Sequence, residues 1–512
     1  MPSKSNSLRK IEHIVVLMLE NRSFDNLLGW LYDPGNEAPF NKVPENFEGL
    51  YGRKLSNRMP DGREVPVSKT DDPRSPLPNP GEPFQDVYSQ LYDVPLVDPK
   101  DVPPDPSQPP NMRGFIRNYA IQKDVKDPAK IMQALTPKTV PVLSSLAHYY
   151  AVCDHWFASI PTQTFCNRSF VHAGTSSGYV NNGGGGLCIV NDTPTVFDLL
   201  ESEGKSWTIY TGSWLLESFA LLTQKRLWKY AVTEHFAHFK EFLAAAGRRG
   251  ELPKYSFIEP IYFDSIYWGA QNDMHPECNL YEFFGPSNVH KGELLLWKIY
   301  DAIRNGPNWD STLLIILFDE HGGCYDHVPP PSSRECEFAI APDDKIIPPG
   351  APGGTGFKFD RLGPRVPAII VSAYTPEQTR LNDAFEHTSV LSTIVNCFDL
   401  PQGRLGARQQ KAPDVSAALA LENPRTDQPP IAKPRTSIVE DLEAEAHAIA
   451  HKRLFGAKAK PISDLQTTAL HGAAQFTQAP GVHERILNIE NELEADLLFM
   501  EHEAKLIGKK IF

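Results

Sequence analysis

The chain has 512 residues, 41% of them hydrophobic, which is enough apolar side chain to bury at least one large core. Its formal net charge is −13, and Lys and Arg form no long run, so the composition argues against binding to a nucleic-acid backbone. No stretch approaches the roughly 18 uninterrupted apolar residues that a membrane-spanning helix needs. We therefore expect a globular protein without a transmembrane segment and without a nucleic-acid partner.

The first apolar run, HIVVLML at residues 13–19, follows a short basic stretch. The run is short, lacks a small-residue cleavage site and leads directly into polar residues, so it is typical of a first core strand rather than of a signal peptide. The seven cysteines are widely spaced and form no CxxC pair, which favours reduced thiols. Both features predict a cytoplasmic protein, with export by a route without a cleavable signal as the alternative.

Three further aliphatic runs follow along the chain: SWTIY at 206–210, LLIILF at 313–318 and RVPAIIVSAY at 365–374. Continuous apolar runs bounded by turn signals are typical of strands that are covered on both faces. Helix-like segments lie between the runs and favour a mostly parallel sheet. The sequence therefore predicts an α/β protein with a three-layer α/β/α core.

Two long segments are predicted to be loop insertions into this core. Residues 70–112 are so rich in proline that neither a helix nor a central strand can persist through most of them. Residues 329–357 are rich in proline and glycine and follow the run at 313–318. Loops of this length inside a domain are often functional.

The composition changes after residue 405, which predicts a main domain at 1–405, a linker at 406–436 and a C-terminal helical extension at 437–512. Apolar residues recur in the last helix at three- and four-residue steps. We expect this stripe to pack on the main domain or on a partner helix, which leaves an oligomer open. Because much of its polar face is acidic, a peripheral membrane contact is the less favoured alternative. The stripe consists of Ile486, Ile489, Leu493, Leu497, Met500, Ala504 and Ile507.

Acidic residues directly follow two of the predicted strands. Glu20 and Asn21 come after the first run, and Asp319 and Glu320 come after the run at 313–318. If the two strands are parallel neighbours, these side chains converge at one edge of the sheet. Clustered carboxylates must take up protons or recruit a cation, and such oxygen ligands suit Mg²⁺, Ca²⁺ or Mn²⁺, while nearby histidines also admit Zn²⁺ or iron. The competing interpretation is that these acids cap the helices that follow.

A third group of polar residues occurs in the segment WFASIPTQTFCNRSFVHAGTSSGYVNNGGGG at 156–186. Thr164 offers a hydroxyl that a divalent metal can activate as a nucleophile, and Asn167, Arg168 and His172 are able to contact an anion. The same segment matches the G-x-S-x-G pattern around Ser176. A nucleophile elbow needs a helix after the serine, and GYVNNGGGG does not readily start one, so we interpret this match as accidental.

These segments together resemble the phosphoesterase family of bacterial phospholipases C and acid phosphatases and plant non-specific phospholipases C. The resemblance rests on IEHIVVLMLENRSFDNLLGW, SIPTQTFCNRSFVHAGTSSG, YSFIEPIYFD with NDMHP, and LLIILFDEHGGCYDHVPPP, and it extends over residues 10–402. It implies a fold like that of alkaline phosphatase and hydrolysis of a phosphate ester.

The resemblance also implies roles for individual residues. Thr164 matches the family's nucleophile, with Thr162 as the competing residue, and His275 matches a histidine that binds the phosphoryl oxygens or protonates the leaving group. Weaker matches are His327 and the pair at 386–387. Metal ligands are implied at Glu20, Asn21, Thr164, Asp319 and Glu320, and substrate contacts at Asn167 and His321.

One departure from the family concerns the segment PGEPFQDV, where bacterial members often carry an active-site histidine. This chain has Glu82 and Pro83 there, so that contact is absent or is supplied from elsewhere.

The sequence therefore predicts a metal-dependent phosphoric ester hydrolase of the phospholipase C type that cleaves phospholipid phosphodiesters through a phosphothreonine intermediate. The first alternative is an acid phosphatase that acts on small phosphomonoesters. A phosphate- or metal-dependent binding protein and a metal-independent serine esterase that uses Ser176 are the hypotheses from other classes.

Overall fold

The computed structural model of the protein describes residues 7–96, 108–184, 187–265, 268–276, 287–340, 355–434, 464–477 and 492–506, together with 486 and 489. Within these ranges no helix is both long enough and apolar enough to cross a membrane. Six of the seven cysteines are described, and all six are buried free thiols. Cys278 lies outside the described residues, as does 437–463 of the predicted C-terminal extension.

Eight strands form one mixed sheet at the centre of the fold. The strand His13–Leu19 lies in its middle and pairs in parallel with Tyr255–Glu259 on one side and with Thr312–Phe318 on the other. All four predicted runs are strands of this sheet, but Ala368–Ser372 is antiparallel to both of its neighbours. From edge to edge the strands are Phe236–His238, Trp207–Thr211, Tyr255–Glu259, His13–Leu19, Thr312–Phe318, Ala368–Ser372, Ala151–Cys153 and Thr379–Leu381.

Helices cover both faces of the sheet, and every residue of its three middle strands is buried. One layer contains Pro141–Tyr149, Phe239–Ala246 and Val289–Arg304, the last of which packs against the other two. The other contains Thr164–Ala173, Val196–Ser202, Phe219–Thr223 and Thr388–Cys397. A single hydrophobic core joins the sheet to both layers, because continuous apolar strands need cover on each side. The predicted α/β class and its three layers are confirmed.

Shorter elements complete the described fold. The remaining α-helices are Phe24–Leu28, Phe84–Tyr92, Phe115–Tyr119, Gly406–Lys411, Asp464–Thr477 and Glu492–Leu506. Turns of 3₁₀-helix occur at Leu8–Lys10, Pro128–Met132, Leu215–Glu217, Lys225–Tyr230, Trp309–Ser311 and Val415–Ala418. Four small sheets pair Ser56–Arg58 with Glu64–Pro66, Ser68–Thr70 with Gln133–Leu135, Trp156–Phe157 with Phe385–Glu386, and Gly183–Gly184 with Leu187–Cys188.

In its described residues, the predicted loop at 70–112 contains a nine-residue helix, Phe84–Tyr92. Residues 84–94 are free of proline, and the helix begins directly after Pro83, which is its N-cap with an extended ψ of 155°. Val87 and Leu91 lie on its buried side and pack on Phe115 and Ile116. The helix therefore anchors this insertion beside the carboxyl edge of the sheet.

The first part of the predicted linker packs on the main core. Leu405, Val415 and Ala418 are buried among core residues, and the fully buried Arg408 donates to the carbonyl oxygen of Ser159 at 2.9 Å. Residues 405–419 thus lie against the main domain, while the predicted division of the chain stays a prediction.

Candidate active site

The two acidic strand ends lie side by side. His13–Leu19 and Thr312–Phe318 are parallel neighbours in which Leu19 is opposite Phe318. Glu20 and Asp319 are the next residues of each strand, so they leave the sheet at the same edge. Neither side chain has any exposure. The predicted convergence of the two acidic ends is therefore present.

A tight backbone approach turns these acidic residues toward each other. Asn21 has a φ of 53°, in the left-handed region that asparagine tolerates better than most residues. Its backbone N–H donates to Oδ1 of Asp319 at 3.0 Å, and its Nδ2 donates to Oε1 of Glu320 at 3.0 Å. Gly322 has a φ of 61°, and a Cβ at this position would lie 2.0 Å from the carbonyl oxygen of Asn21. Glycine is therefore required where the two strand ends approach.

Thr164 is the first residue of the helix Thr164–Ala173, and its hydroxyl points at the acidic edge of the sheet. Its Oγ1 lies 3.3 Å from Oε2 of Glu20 and 3.4 Å from Oδ1 of Asn21. Thr162, the competing residue, donates its hydroxyl instead to the carbonyl oxygen of Val180 at 2.5 Å. The geometry therefore brings Thr164, and not Thr162, to the predicted metal ligands.

Arg168 lies one turn further along this helix and bridges the two acidic ends. Its Nε donates to Oε1 of Glu20 at 2.9 Å and to Oδ2 of Asp319 at 3.2 Å. The same guanidinium donates to the carbonyl oxygens of Met18 and Leu19, and it lies 5.0 Å from the centre of the Tyr262 ring. A buried guanidinium with these charged partners holds both carboxylates in position.

The negative charges of the buried acids at this site exceed the positive charges of its basic groups. Burial raises the pKa of Glu20 well above its usual range, and the charge of Asp319 adds to the effect. Burial likewise raises the pKa of Glu320, followed by the charges of Glu82 and Asp319. A cation in this place would favour the ionised forms. The converging oxygens of Glu20, Asn21 and Thr164 fit a hard divalent ion, because such ions prefer carboxylate, amide and hydroxyl oxygen.

His275 lies on the far side of this cluster and contacts two further acids. Its Nε2 is 3.3 Å from Oε1 of Glu82, and its Nδ1 donates to the carbonyl oxygen of Pro276 at 2.7 Å. Its backbone N–H donates to Oδ1 of Asp273 at 2.9 Å, while the carbonyl oxygen of Asp273 accepts from the backbone N–H of Glu20. Burial raises the pKa of Asp273 to about 7. The structure thus places His275 beside the acidic strand ends.

The two predicted substrate contacts have other partners in the described residues. Asn167 donates its amide to the carbonyl oxygens of Ile160 and Thr162 and accepts from the backbone N–H of Ile160, so it orders the loop before the helix. His321 lies behind Glu320, where its Nε2 donates to Oε1 of Gln90 at 2.8 Å. Burial lowers the pKa of His321 to about 3, so this imidazole is neutral. Substrate contact by either residue stays a prediction.

Two weaker candidates also have structural partners. His387 donates from Nε2 to the carbonyl oxygen of Asp319 at 2.6 Å and so supports that strand end. Ser176 follows the helix Thr164–Ala173, and its hydroxyl donates to the carbonyl oxygen of Tyr179. The strand, serine and helix order of a nucleophile elbow is therefore not formed at Ser176.

A separate cluster of Asp25, Asp326 and His327 follows the two strand ends. Within the described ranges this is the one group in which three acidic or histidine ligand atoms all lie within 4.8 Å of one another. Arg365 occupies it, because its guanidinium donates to Oδ1 of Asp25 and to Oδ1 of Asp326, each at 2.9 Å. We therefore interpret this cluster, named here the arginine brace, as an ion-pair network rather than a metal site.

The carboxylates of Glu20, Asp319 and Glu320 do not form such a group in the described residues, and the Arg168 guanidinium bonds to the first two. Their role as metal ligands therefore stays a prediction that depends on the oxygen donors around Thr164.

Three residues of the site were missed or undervalued by the sequence reasoning. Arg168 was considered only as an anion contact, yet its partners are the two acidic ends. Asp273 stands two residues before His275 in the NDMHP segment, which was the available signal. Glu82 was considered only as the replacement of a histidine, although it contacts the site directly.

Comparison with known proteins places the chain in a family. The family model described as "Phosphoesterase family" matches residues 11–401. The chain belongs to the phosphoesterase family. The predicted resemblance is thus confirmed, and so is the predicted class of phosphoric ester hydrolase at the level of this family.

Named relatives of this phosphoesterase occur in plants and bacteria. Non-specific phospholipase C3 of Arabidopsis thaliana is 33% identical over 436 residues, which cover 83% of this chain and 76% of that protein. Phospholipase C A of Mycobacterium tuberculosis is 27% identical over 451 residues, covering 81% and 78% of the two chains. A solved protein of the alkaline phosphatase superfamily from Vibrio parahaemolyticus is 12% identical with a TM-score of 0.29 over 62% of this chain and 83% of that one. This last likeness is weak, and the α/β assignment depends on the sheet itself.

Proposed function

We propose that this phosphoesterase hydrolyses phospholipid phosphodiesters in the manner of a phospholipase C, with Thr164 as the nucleophile. The observation that carries the proposal is the position of Thr164 Oγ1, within 3.4 Å of Glu20 and Asn21 at the edge where both acidic strand ends meet. The threonine also starts a ten-residue helix, and the positive end of a helix favours an approaching phosphate.

The proposed cofactor is one or more divalent metal ions held by Glu20, Asn21, Thr164, Asp319 and Glu320. When bound, such an ion neutralises phosphoryl charge and favours the ionised threonine oxygen. Mg²⁺, Ca²⁺ and Mn²⁺ match the oxygen donors best, and the neighbouring His275 also admits Zn²⁺ or iron.

The residues of the chain then divide the reaction into two transfers. As Thr164 Oγ1 attacks phosphorus, its hydroxyl proton passes to solvent, a bond from phosphorus to this oxygen forms, and the bond to the glycerol oxygen of the lipid breaks. His275 gives a proton to the departing alcohol, which leaves as diacylglycerol, and the imidazole regains a proton from solvent. Water next attacks the phosphothreonine, which releases the phosphorylated headgroup and restores the threonine hydroxyl. Positioning and charge neutralisation supply most of the catalysis in such transfers.

Arg168 has a supporting role in this proposal. Its guanidinium keeps Glu20 and Asp319 at the edge of the sheet from within the same helix that carries Thr164. Nucleophile and acidic ligands are therefore fixed relative to each other by one element. Fixed geometry of this kind favours a high rate, because a small displacement of the reacting groups lowers the rate strongly.

The choice of a phospholipid is supported by the relatives, which are named phospholipases C. The alternative is an acid phosphatase that takes small phosphomonoesters. Both activities need the same core and differ in the groups around it.

The test is an assay of the full chain, loaded with metal, on phosphatidylcholine vesicles and on p-nitrophenyl phosphate, with and without a chelator. We expect release of diacylglycerol that the chelator stops. Turnover of p-nitrophenyl phosphate alone would favour the acid phosphatase. Turnover that the chelator does not change and that serine-directed inhibitors block would favour an esterase using Ser176. Inactivity on both substrates would favour a binding protein.

A further inference from the structure

Glu82 is a buried carboxylate next to the candidate phosphate site that the mechanism does not use. Only 9% of the residue is exposed, and its Oε1 is 3.3 Å from Nε2 of His275, the proposed proton donor to the leaving alcohol. Asn79 donates to the same oxygen at 2.9 Å. Pro83 and the helix Phe84–Tyr92 follow directly, so the backbone that carries Glu82 is anchored.

The surroundings of Glu82 place its charge at the reacting edge. Its partner His275 lies two residues after Asp273, whose carbonyl oxygen accepts from the backbone N–H of Glu20 at the acidic strand end. The ion pair that the described residues give Glu82 is the one with His275. A phosphoryl group bound at His275 would therefore lie beside a fixed negative charge, because Glu82 contacts Nε2 while Nδ1 donates to the carbonyl oxygen of Pro276.

This charge distinguishes the two substrate classes that share the reaction. A phosphomonoester carries a charge of about −1.5 to −2 at neutral pH, because its second pKa is near 6. A phosphodiester carries a single negative charge. Like charges in a buried site repel strongly, since the low dielectric screens them weakly. Glu82 therefore repels a monoester, with its larger negative charge, more strongly than a diester.

We propose that Glu82 is a specificity-determining residue that makes this site prefer monoanionic phosphodiesters over dianionic phosphomonoesters. The inference rests on the proposed function and narrows it, because it explains from the site itself why a lipid diester is taken rather than a small monoester. Glu82 acts by repulsion of the wrong substrate, which is a common source of specificity.

The experiment compares two substrates with the same leaving group, bis(p-nitrophenyl) phosphate and p-nitrophenyl phosphate. Values of kcat/KM for the metal-loaded full chain are measured at pH 7.5 for the wild type, Glu82→Gln and Glu82→Asp. We expect Glu82→Gln to raise the monoester-to-diester ratio about tenfold or more, and Glu82→Asp, which keeps the charge, to stay near the wild-type ratio.

The matched control is Asp86→Asn, four residues further along. Asp86 accepts from Nδ2 of Asn118 at 2.8 Å and from Nε2 of Gln122 at 2.7 Å, partners different from the Asn79 and His275 of Glu82. Its substitution removes a negative charge from the same segment and should leave the ratio unchanged. An equal rise in Asp86→Asn would mean a general effect of net charge and would overturn the role of Glu82.

An unchanged ratio in an active Glu82→Gln enzyme also overturns the inference while leaving the proposed function intact. Wild-type inactivity on both substrates with metal present overturns the proposed function, and the inference with it. If Glu82→Gln does not fold, inhibition constants of the wild type provide the test. Inorganic phosphate should inhibit more weakly than dimethyl phosphate. The reverse order would contradict the proposal.

Discussion

Thr164 and Thr162 differ in the partners of their hydroxyl groups. Thr162 precedes the helix Thr164–Ala173 and Thr164 starts it, and both belong to the segment PTQT. The hydroxyl of Thr162 is used by the backbone at Val180, whereas that of Thr164 faces Glu20 and Asn21. A nucleophile must have its oxygen directed at the reacting centre, so only the second arrangement suits the chemistry.

Replacement of Thr164 with Ala should lower kcat by about 10³-fold or more, because removal of a nucleophile abolishes the covalent route. Phosphodiester hydrolysis and thermal unfolding are the measurements. The control is Thr162→Ala, which should keep most of the activity and lose about 1 kcal/mol of stability with its hydrogen bond. An inactive Thr162→Ala variant together with an active Thr164→Ala variant would assign the nucleophile to Thr162.

At the scale of elements, the arginine brace connects the segments that follow the two acidic strands. Asp25 comes shortly after Glu20, and Asp326 and His327 come after Glu320. Arg365, which precedes the antiparallel strand Ala368–Ser372, bonds to Asp25 and Asp326 and so connects both segments to that strand. His327 adds to the network by contacting Asp25 at 2.6 Å and Glu48 at 3.1 Å. The relative position of the two strand ends is therefore set by more than their pairing in the sheet.

His327 should make stability depend on pH. Burial alone would lower its pKa, but Asp25 and Glu48 outweigh burial and raise it to about 9. Because the folded pKa exceeds the unfolded value of 6.5, the stabilisation is fully present below about pH 6.5 and is lost as the pH rises through 9. Relative to His327→Gln, the wild type should lose about 3 kcal/mol of unfolding free energy across this window.

Urea unfolding of both proteins at pH 6, 7.5 and 9.5 measures this difference. A wild-type advantage that stays constant over the three pH values would contradict the assignment of a protonated His327.

At the scale of the whole molecule, the last helix Glu492–Leu506 joins the main domain through a second core. Leu498 and Phe499 are buried with Phe219 and Phe263 of the main domain. Ile486 and Ile489 of the predicted apolar stripe pack in this core, but the prediction is wrong at Leu497, which is 38% exposed. The inward face also carries two acids, since Trp214 donates to Asp496 and the backbone N–H of Leu216 donates to Glu503. A stripe of apolar residues alone could not reveal a face that is anchored by hydrogen-bonded acids.

Docking of this helix should weaken as the pH rises. Burial raises the pKa of Glu503 to about 7. Burial also raises the pKa of Glu217 across the contact, and the charges of Asp496 and Glu503 on the helix add to this effect. A raised acid pKa means that folding favours the neutral form, so the docked state is most stable below pH 4.5 and carries the full cost of ionisation above about pH 7. Glu503→Gln should therefore make the helix more resistant to proteolysis at pH 8.

The control is Glu494→Gln at an exposed position of the same helix, which should change proteolysis little. Cleavage rates that are the same at pH 5 and pH 8 in the wild type would contradict this account.

The sequence by itself determined the class of the fold, the two acidic strand ends and the family. These features depend on short patterns: an apolar run predicts a buried strand, and the residue after a parallel strand lies at the carboxyl edge of the sheet. The tertiary structure alone decided that Arg168 joins Glu20 to Asp319, that Glu82 faces His275 and that acids anchor the last helix. Those contacts link residues about 150 to 290 positions apart in the chain. No local pattern encodes such distances, because they are set only when the layers pack on the sheet.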